Sequence, residues 1–276
     1  MSGTLYLVPT PIGNLGDISQ RMADTMEQAD FIAAEDTRVS IKLLNHLGIK
    51  KPMISYHRHN TESGGQAVIQ RLLAGETCAL VTDAGMPAIS DPGEELVAEC
   101  ARLGIPVVAI PGPCALVTAL AISGQPTARF TFEGFLPMNK KNRKAHLDSL
   151  RGEQRTMIFY EAPHKLCATL EDLAACFGEE RPISLCRELS KLHEEVRRTT
   201  LGEAVRHYQE NAPKGEFVLV VKGMEPSQEQ EATLEDGLAM VERLREEGKS
   251  LRDAVKQAAK ELGLSRNQLY DLAVNQ

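Results

Sequence analysis

Short apolar runs punctuate the first half of the chain: Leu5-Tyr6-Leu7-Val8, then residues 31–34, 52–56, 77–81 and 105–110. None contains a charge, which is the pattern of a strand buried on both faces. Between them, apolar positions recur every third or fourth residue. Ile18, Met22, Met26 and Ala29 mark one helical face, and Ile41, Leu44 and Leu47 mark another, closed by Gly48 at a C′ position. Further helical patterning lies near 66–74, 94–103 and 115–123. Strands alternating with helices predict an α/β fold with a mostly parallel sheet. Such sheets bind ligands beyond the carboxyl ends of their strands.

A composition change near 124–129 predicts a domain junction. Strand patterns follow at 130–135, 156–160, 182–186, 194–200 and 216–221, with a helix at about 164–176. Residues 196–200 alternate with charge, so this second sheet is expected to include antiparallel strands. Residues 223–231 read as a linker. Ala254, Val255, Ala258, Ala259 and Leu262 then lead to Gly263-Leu264-Ser265, followed by Leu269, Tyr270 and Leu272. The expected architecture is two αβα domains, 1–124 with a mostly parallel sheet and 125–224 with a mixed one, plus helices over 232–276. Ala259 four residues before a turn glycine resembles a helix-turn-helix. Its nucleic-acid face would be Arg252, Lys256, Lys260 and Arg266; the alternative is a small helical appendage packed on the body.

Three loops rich in Gly and Pro, at 9–17, 83–93 and 111–114, each follow a strand, so they should meet at one sheet edge. In the central one, Gly85 and Gly93 free the backbone while Pro87 and Pro92 stiffen it. Ala84, Ala88 and Ser90 keep the surface small enough for a flat ligand to lie on the main chain. Alone, that loop could equally be a rigid strand–helix connection. Neither GxGxxG nor GxxxxGK[ST] occurs, which argues against a polyphosphate ligand.

Charge narrows the partners. The chain of 276 residues carries a net charge of −7, unlike the broad positive field of a general nucleic-acid coat. Five Tyr, seven Phe and no Trp leave little material for base-stacking platforms. The six cysteines show no CxxC or Cys/His metal spacing, and no metal is expected. No apolar run approaches the roughly 18 residues of a membrane span, and the first eight residues are too short for a secretory signal. A cytoplasmic protein without membrane attachment is the expectation.

Taken together, Val8-Pro9-Thr10-Pro11-Ile12-Gly13-Asn14-Leu15-Gly16-Asp17, Ala34-Glu35-Asp36-Thr37-Arg38, the loop from Thr82 to Gly93, Ile110-Pro111-Gly112-Pro113, Phe159-Tyr160-Glu161-Ala162-Pro163-His164 and Gly215-Glu216-Phe217-Val218-Leu219 resemble the tetrapyrrole-methylase superfamily. Within it they resemble the ribose 2′-O-methyltransferases of small-subunit (16S) rRNA. The match runs from about residue 4 to 223, with motif order and spacing preserved. The resemblance implies S-adenosylmethionine, a flat-ringed ligand of the kind such loops suit, folded between two α/β domains, and a homodimer. It implies methyl transfer to a decoding-centre cytidine of 16S rRNA within the small ribosomal subunit. Carried over, the cofactor contacts fall on Pro11, on Ala84, Gly85, Met86, Ile89 and Ser90, and on Cys114 and Ala115. The second domain would add Tyr160, Glu161, Leu189, Glu216 and Phe217. Related enzymes often have an aspartate where this chain has Met86, so a hydrogen bond given to that side chain must come from elsewhere.

A ribose hydroxyl is barely ionised at neutral pH, so methyl transfer to it needs alignment and a proton acceptor. Asp36, His57, Glu161 and Glu188 are the candidates; for each carboxylate the alternative is a helix cap or an ion pair. Arg38, aided by His59, could orient a phosphate or nucleotide. Lys140, Lys141, Arg143 and Lys144 form the densest basic cluster and read either as a phosphate-gripping loop or as a solvated helix start. Cys114 at a helix start could be a nucleophile, but no histidine lies close in sequence and the resemblance gives the position to the cofactor. The competing readings are a methylase acting on a small tetrapyrrole-like acid and a non-enzymatic regulator that binds nucleic acid through residues 250–274. Glu35-Asp36 and Glu161 in the expected cleft argue against an acidic substrate.

Overall fold

The computed structural model describes residues 2–225 and 232–274. The chain divides into two compact units, Met1–Gly223 and Met224–Gln276. The first unit contains two five-stranded sheets.

The first sheet has β1 (Leu5–Leu7), β2 (Phe31–Ala34), β3 (Met53–Ser55), β4 (Cys78–Val81) and β5 (Val107–Ala109), all parallel, in the order β3-β2-β4-β1-β5. Helices α1 (Gln20–Gln28), α2 (Thr37–His46), α3 (Thr61–Leu73) and α4 (Glu94–Arg102) connect them. Its charge-free runs have a direct structural cause. Alternate side chains point to opposite faces, and both faces are covered. Leu5, Leu7, Phe31, Ala33, Cys78 and Leu80 enter one core with Val68 and Leu96. Val8, Ile32, Ala34, Ala79 and Val81 enter the other with Met22, Met26 and Leu44.

The second sheet has β6 (Phe130–Phe135), β7 (Thr156–Glu161), β8 (Pro182–Arg187), β9 (Glu195–Thr200) and β10 (Phe217–Val221), in the order β6-β7-β10-β8-β9. Only β6 and β7 pair in parallel, so the sheet is mixed. One face packs against α7 (Pro163–Phe177) and α8 (Leu201–Glu210), through Leu166, Leu170, Leu173, Leu201 and Ala204. The other is covered by α5 (Ala115–Ser123), whose Leu116, Ala119 and Leu120 pack on Ile158, Cys186, Val218 and Val220. Thus the helix leaving the last strand of the first sheet forms a layer of the second.

Two elements differ from the sequence reading. Helix α3 begins at Thr61, several residues before 66; Gly64 and Gly65, poor helix formers, sit inside its first turns and hide its start from the sequence pattern. There Gly64 lies so close to Ser55 O that a Cβ would come within 3.0 Å. Helix α8, not foreseen, is started by Thr200, whose hydroxyl accepts from Glu203 N.

In the second unit, α9 (Leu234–Glu246), α10 (Leu251–Leu262) and α11 (Arg266–Val274) enclose their own core of Val241, Leu244, Val255, Ala258 and Leu269. Gly263 ends α10 in the left-handed conformation. Arg252, Lys256, Lys260 and Arg266 are all exposed. Residues 226–231 of the expected linker lie outside the described residues. No described helix is long and apolar enough to cross a membrane.

Candidate active site

The loops after β1 and β4 are stitched together by backbone. Thr10 N donates to Gly85 O and Gly85 N to Thr10 O, both at 2.9 Å, and Thr10 Oγ1 donates to Thr82 O at 2.9 Å. Gly85 has φ +87°, a conformation that disfavours a side chain. Farther along, Ala88 and Ser90 adopt φ of +66° and +64°, which costs of order 1 kcal/mol each and clusters at functional sites. The β1 loop also reaches the second sheet: the Ser190 hydroxyl donates to Asp17.

These loops form one wall of a cavity of about 480 Å³, and the second sheet forms the other. Ile12, Ala84, Gly85, Met86, Ile89 and Ser90 line it from the first side, and Cys114 and Ala115 from the start of α5. Tyr160, Glu161, Leu189, Glu216 and Phe217 line it from the second. The Tyr160 hydroxyl accepts from Leu116 N at 3.0 Å, tying α5 to β7. Phe132 and Phe135 meet the Tyr160 ring edge-on, with centroids 4.9 and 5.6 Å away.

Of the expected cofactor residues, the structure brings all to the cavity except Pro11, whose neighbour Ile12 supplies the wall. The four expected proton acceptors do not converge. Asp36 caps α2, accepting from Arg38 N at 2.8 Å, and pairs with the Arg38 guanidinium at 2.7 Å. That bonding holds its carboxyl down at about 2. His57 and His59 meet ring to ring, 6.1 Å apart, outside the cavity lining. Glu161 is buried and pinned: one carboxylate oxygen accepts from Ala162 N at 2.8 Å and the other from the Thr169 hydroxyl. Glu188 accepts from Lys191 Nζ and from Glu216 N, both at 2.9 Å, and Lys191 holds its pKa down.

Among the expected RNA contacts, Arg38 is 88 % exposed although paired, and Lys140 and Lys141 stand exposed at the start of α6 (Lys140–Ser149). Lys144 pairs with Asp148 at 2.7 Å. Arg143 turns inward, to Asp172 at 2.6 Å and the Thr169 hydroxyl at 3.0 Å. Through Thr169 it supports Glu161. Helical spacing decides this, since α6 is one-sided and position 143 faces α7.

The cavity also holds Glu35, which the sequence reading placed in the cleft without a part in the reaction, and Asp83, Asp91, Lys191 and Phe135, to which it gave no role. Burial pushes up the pKa of Glu35 and Asp83. Burial, with the Glu35 charge nearby, pushes Asp91 up to about 7. The legible signal was the strand end: every one of these three acids lies just past β2 or in the loop after β4. Groups of three or more His, Cys, Asp or Glu side chains placed to hold a metal do not occur among the described residues.

Residues 4–205 match the family described as Tetrapyrrole (Corrin/Porphyrin) Methylases, and residues 231–276 match the RsmI C-terminal HTH domain. The chain is 48 % identical over 272 residues to ribosomal RNA small subunit methyltransferase I of Synechocystis sp., covering 99 % of this chain and 98 % of that one. With the Escherichia coli O157:H7 protein of the same name it is 43 % identical over 276 residues, covering 99 % and 96 %. The chain belongs to the ribosomal RNA small subunit methyltransferase I family of the tetrapyrrole methylases. Two solved structures share the tetrapyrrole-methylase fold at lower identity. Diphthine synthase matches at TM-score 0.60 and 16 % identity, over 80 % of this chain and 90 % of that one. Uroporphyrin-III C-methyl transferase from Thermus thermophilus, complexed with S-adenyl homocysteine, matches at 0.56 and 16 %, over 79 % and 97 %. The family's C-terminal module corresponds to α9–α11, which form the second compact unit.

Proposed function

We propose that this chain uses S-adenosylmethionine to methylate small-subunit rRNA, at the ribose 2′-hydroxyl of a decoding-centre cytidine. The observation that carries the reading is the near full-length identity to rRNA methyltransferases together with a cavity whose chemistry fits this methyl donor. The floor is backbone and small side chains, so a flat ring can approach closely. Around it stand Glu35, Asp83, Asp91, Glu161 and Glu216, balanced by Lys191 alone. That set favours a cationic ligand over an anionic one, and it disfavours the tetrapyrrole-type acid as substrate.

Ala84 to Met86 and Ile89 would hold the donor from one side, Tyr160, Leu189 and Phe217 from the other. When bound, S-adenosylmethionine supplies an electrophilic methyl group on a sulfonium. The chain's own work is positioning. The stitched β1 and β4 loops fix one wall, the Tyr160–Leu116 bond fixes the other, and the apolar lining excludes water from the reacting groups. Lys140 and Lys141 at the start of α6, Arg38, and the basic face of α10 and α11 are the proposed phosphate contacts. The negative total charge fits a structured target, the small subunit, better than long-range attraction to any RNA. A homodimer and a cytoplasmic site of action belong to the same reading.

The test uses purified protein, methyl-labelled S-adenosylmethionine and small ribosomal subunits from cells lacking this gene. Label recovered in one 2′-O-methylcytidine after nuclease digestion is the expected result. Label on a base, or cofactor binding without transfer, overturns it.

A further inference from the structure

We propose that Asp91 accepts the proton of the ribose hydroxyl during methyl transfer, acting at the seam between the main cavity and a smaller one. This rests on the methyl-transfer reading above. The second cavity, about 310 Å³, is lined by Tyr56, Arg58, Thr61, Gly93 and Glu94, among others. Asp91 and Ser90 border both cavities, and Asp91 is the one carboxylate in both linings. A group at that seam reaches the reacting centre on one side and a way out for a proton on the other.

Bonding separates Asp91 from the other carboxylates. Asp36 is held by Arg38, Glu161 by Thr169 and Ala162, Glu188 and Glu216 by Lys191. Glu35 accepts from Asp83 N at 3.4 Å, and Asp83 from Asp36 N at 3.2 Å. Among the described residues the Asp91 side chain makes no hydrogen bond or ion pair. Its backbone is nonetheless fixed. Ser90 O accepts from Arg58, Ala88 N donates to Pro92 O at 3.4 Å, and Gly93 sits against Ala88 so tightly that a Cβ would come within 3.0 Å. A rigid backbone carrying an unengaged acid suits a proton acceptor.

The charges around it are Glu35 after β2, Asp83 after β4, Arg58 after β3, and Glu94 and Glu95 at the start of α4; the Tyr160 hydroxyl lies across the cavity. Burial first, and then the charges of Glu35 and Asp83 against that of Arg58, make the Asp91 carboxylate basic for an aspartate. As the hydroxyl oxygen forms its bond to the methyl carbon, the donor's carbon–sulfur bond breaks and its electron pair stays on sulfur, leaving a neutral thioether. The hydroxyl proton passes to an Asp91 oxygen and then to water in the second cavity.

The experiment compares the full chain with Asp91→Asn and Asp91→Glu. Its readouts are single-turnover transfer to unmethylated small subunits across pH, calorimetric S-adenosylmethionine binding, and carboxyl NMR of 13C-aspartate protein. Asp91→Asn removes one of five wall carboxylates and should lose far less in cofactor affinity than in rate, which should fall about 10²- to 10⁴-fold, with the pH dependence flattened and partly restored in Asp91→Glu. A carboxyl signal present in wild type and missing from both variants should titrate near 7. An Asp91→Asn rate and pH profile equal to wild type, or a titration at ordinary carboxylate pH, overturns the assignment. Wild-type protein that binds cofactor but leaves ribose unlabelled would instead remove the underlying reading.

Discussion

Each sheet carries its own carboxylates to the cavity, and the two sets are held in opposite ways. Those of the second sheet are locked. Glu161 sits in a chain of contacts running from Asp172 through Arg143 and Thr169, and Glu216 shares Lys191 with Glu188, which lies outside the cavity lining. Those of the first sheet have backbone amides or nothing as partners, and burial drives their pKa upward. A carboxylate bonded to donors is stabilised as the anion and gives up its basicity. One crowded by other acids in a half-buried wall keeps it. Shape is thus maintained by the second sheet, and proton chemistry falls to the first.

The comparison breaks hardest at Gly215. It has φ +82°, and a Cβ there would stand 2.5 Å from Glu188 Cγ and Cδ. Gly215→Ala must strain the backbone and push Glu188 off Lys191 and Glu216 N, costing about 2–3 kcal/mol. Thermal unfolding should fall by roughly 2–4 °C per kcal/mol for a unit of this size. In a Glu188→Ala background the added loss should shrink, since the displaced partner is gone. Equal losses in both backgrounds would show that the Glu188 lock contributes nothing.

The opposite sign is expected on the first sheet. Asp91 has a folded pKa raised above its unfolded value, to about 7, so the folded state binds its proton more tightly. Its contribution is present at low pH and lost as pH rises from about 4 to about 7. Asp91→Asn should therefore match wild type near pH 4 and exceed it at pH 8, by about 1–2 kcal/mol after allowing for solvent screening. Asp36 runs the other way. Its folded pKa is held down at about 2, so its contribution is present above about pH 4 and lost as pH falls through 2. Asp36→Asn should lower stability at neutral pH. Melting curves at pH 4 and 8 check both; stabilisation by both substitutions at pH 8 would contradict the contrast.

Much of the first sheet was legible because strands buried on both faces admit no charge, and the three Gly/Pro loops had to share one edge. The destination of α5 was not legible. The segment Ala115–Ser123 is apolar nearly all round, so its pattern could not say which sheet it would cover. The acids failed for a finer reason. Glu35 and Asp36 are adjacent, and the turn from β2 into α2 sends the first to the cavity and makes the second an N-cap. An aspartate just before a helical pattern is itself a cap signal. Asp91 lies between residues with unusual backbone angles, where neither the helical nor the strand period says which way a side chain points.

The smallest effect separates Arg143 from two lysines that the sequence placed in the same basic cluster. Arg143 is a second-sheet lock, 11 % exposed and paired with Asp172, whereas Lys140 and Lys141 are exposed at the start of α6. Arg143→Met should cost about 1 kcal/mol of stability and leave the salt dependence of rRNA binding unchanged. Lys140→Ala and Lys141→Ala should leave the melting point alone and each reduce the slope of log affinity against log salt by about 1. Filter binding of small subunits over a salt series reads the slope directly. A reduced slope in Arg143→Met would mean that this guanidinium leaves Asp172 and Thr169 for a phosphate, and that the second sheet's lock opens on the substrate.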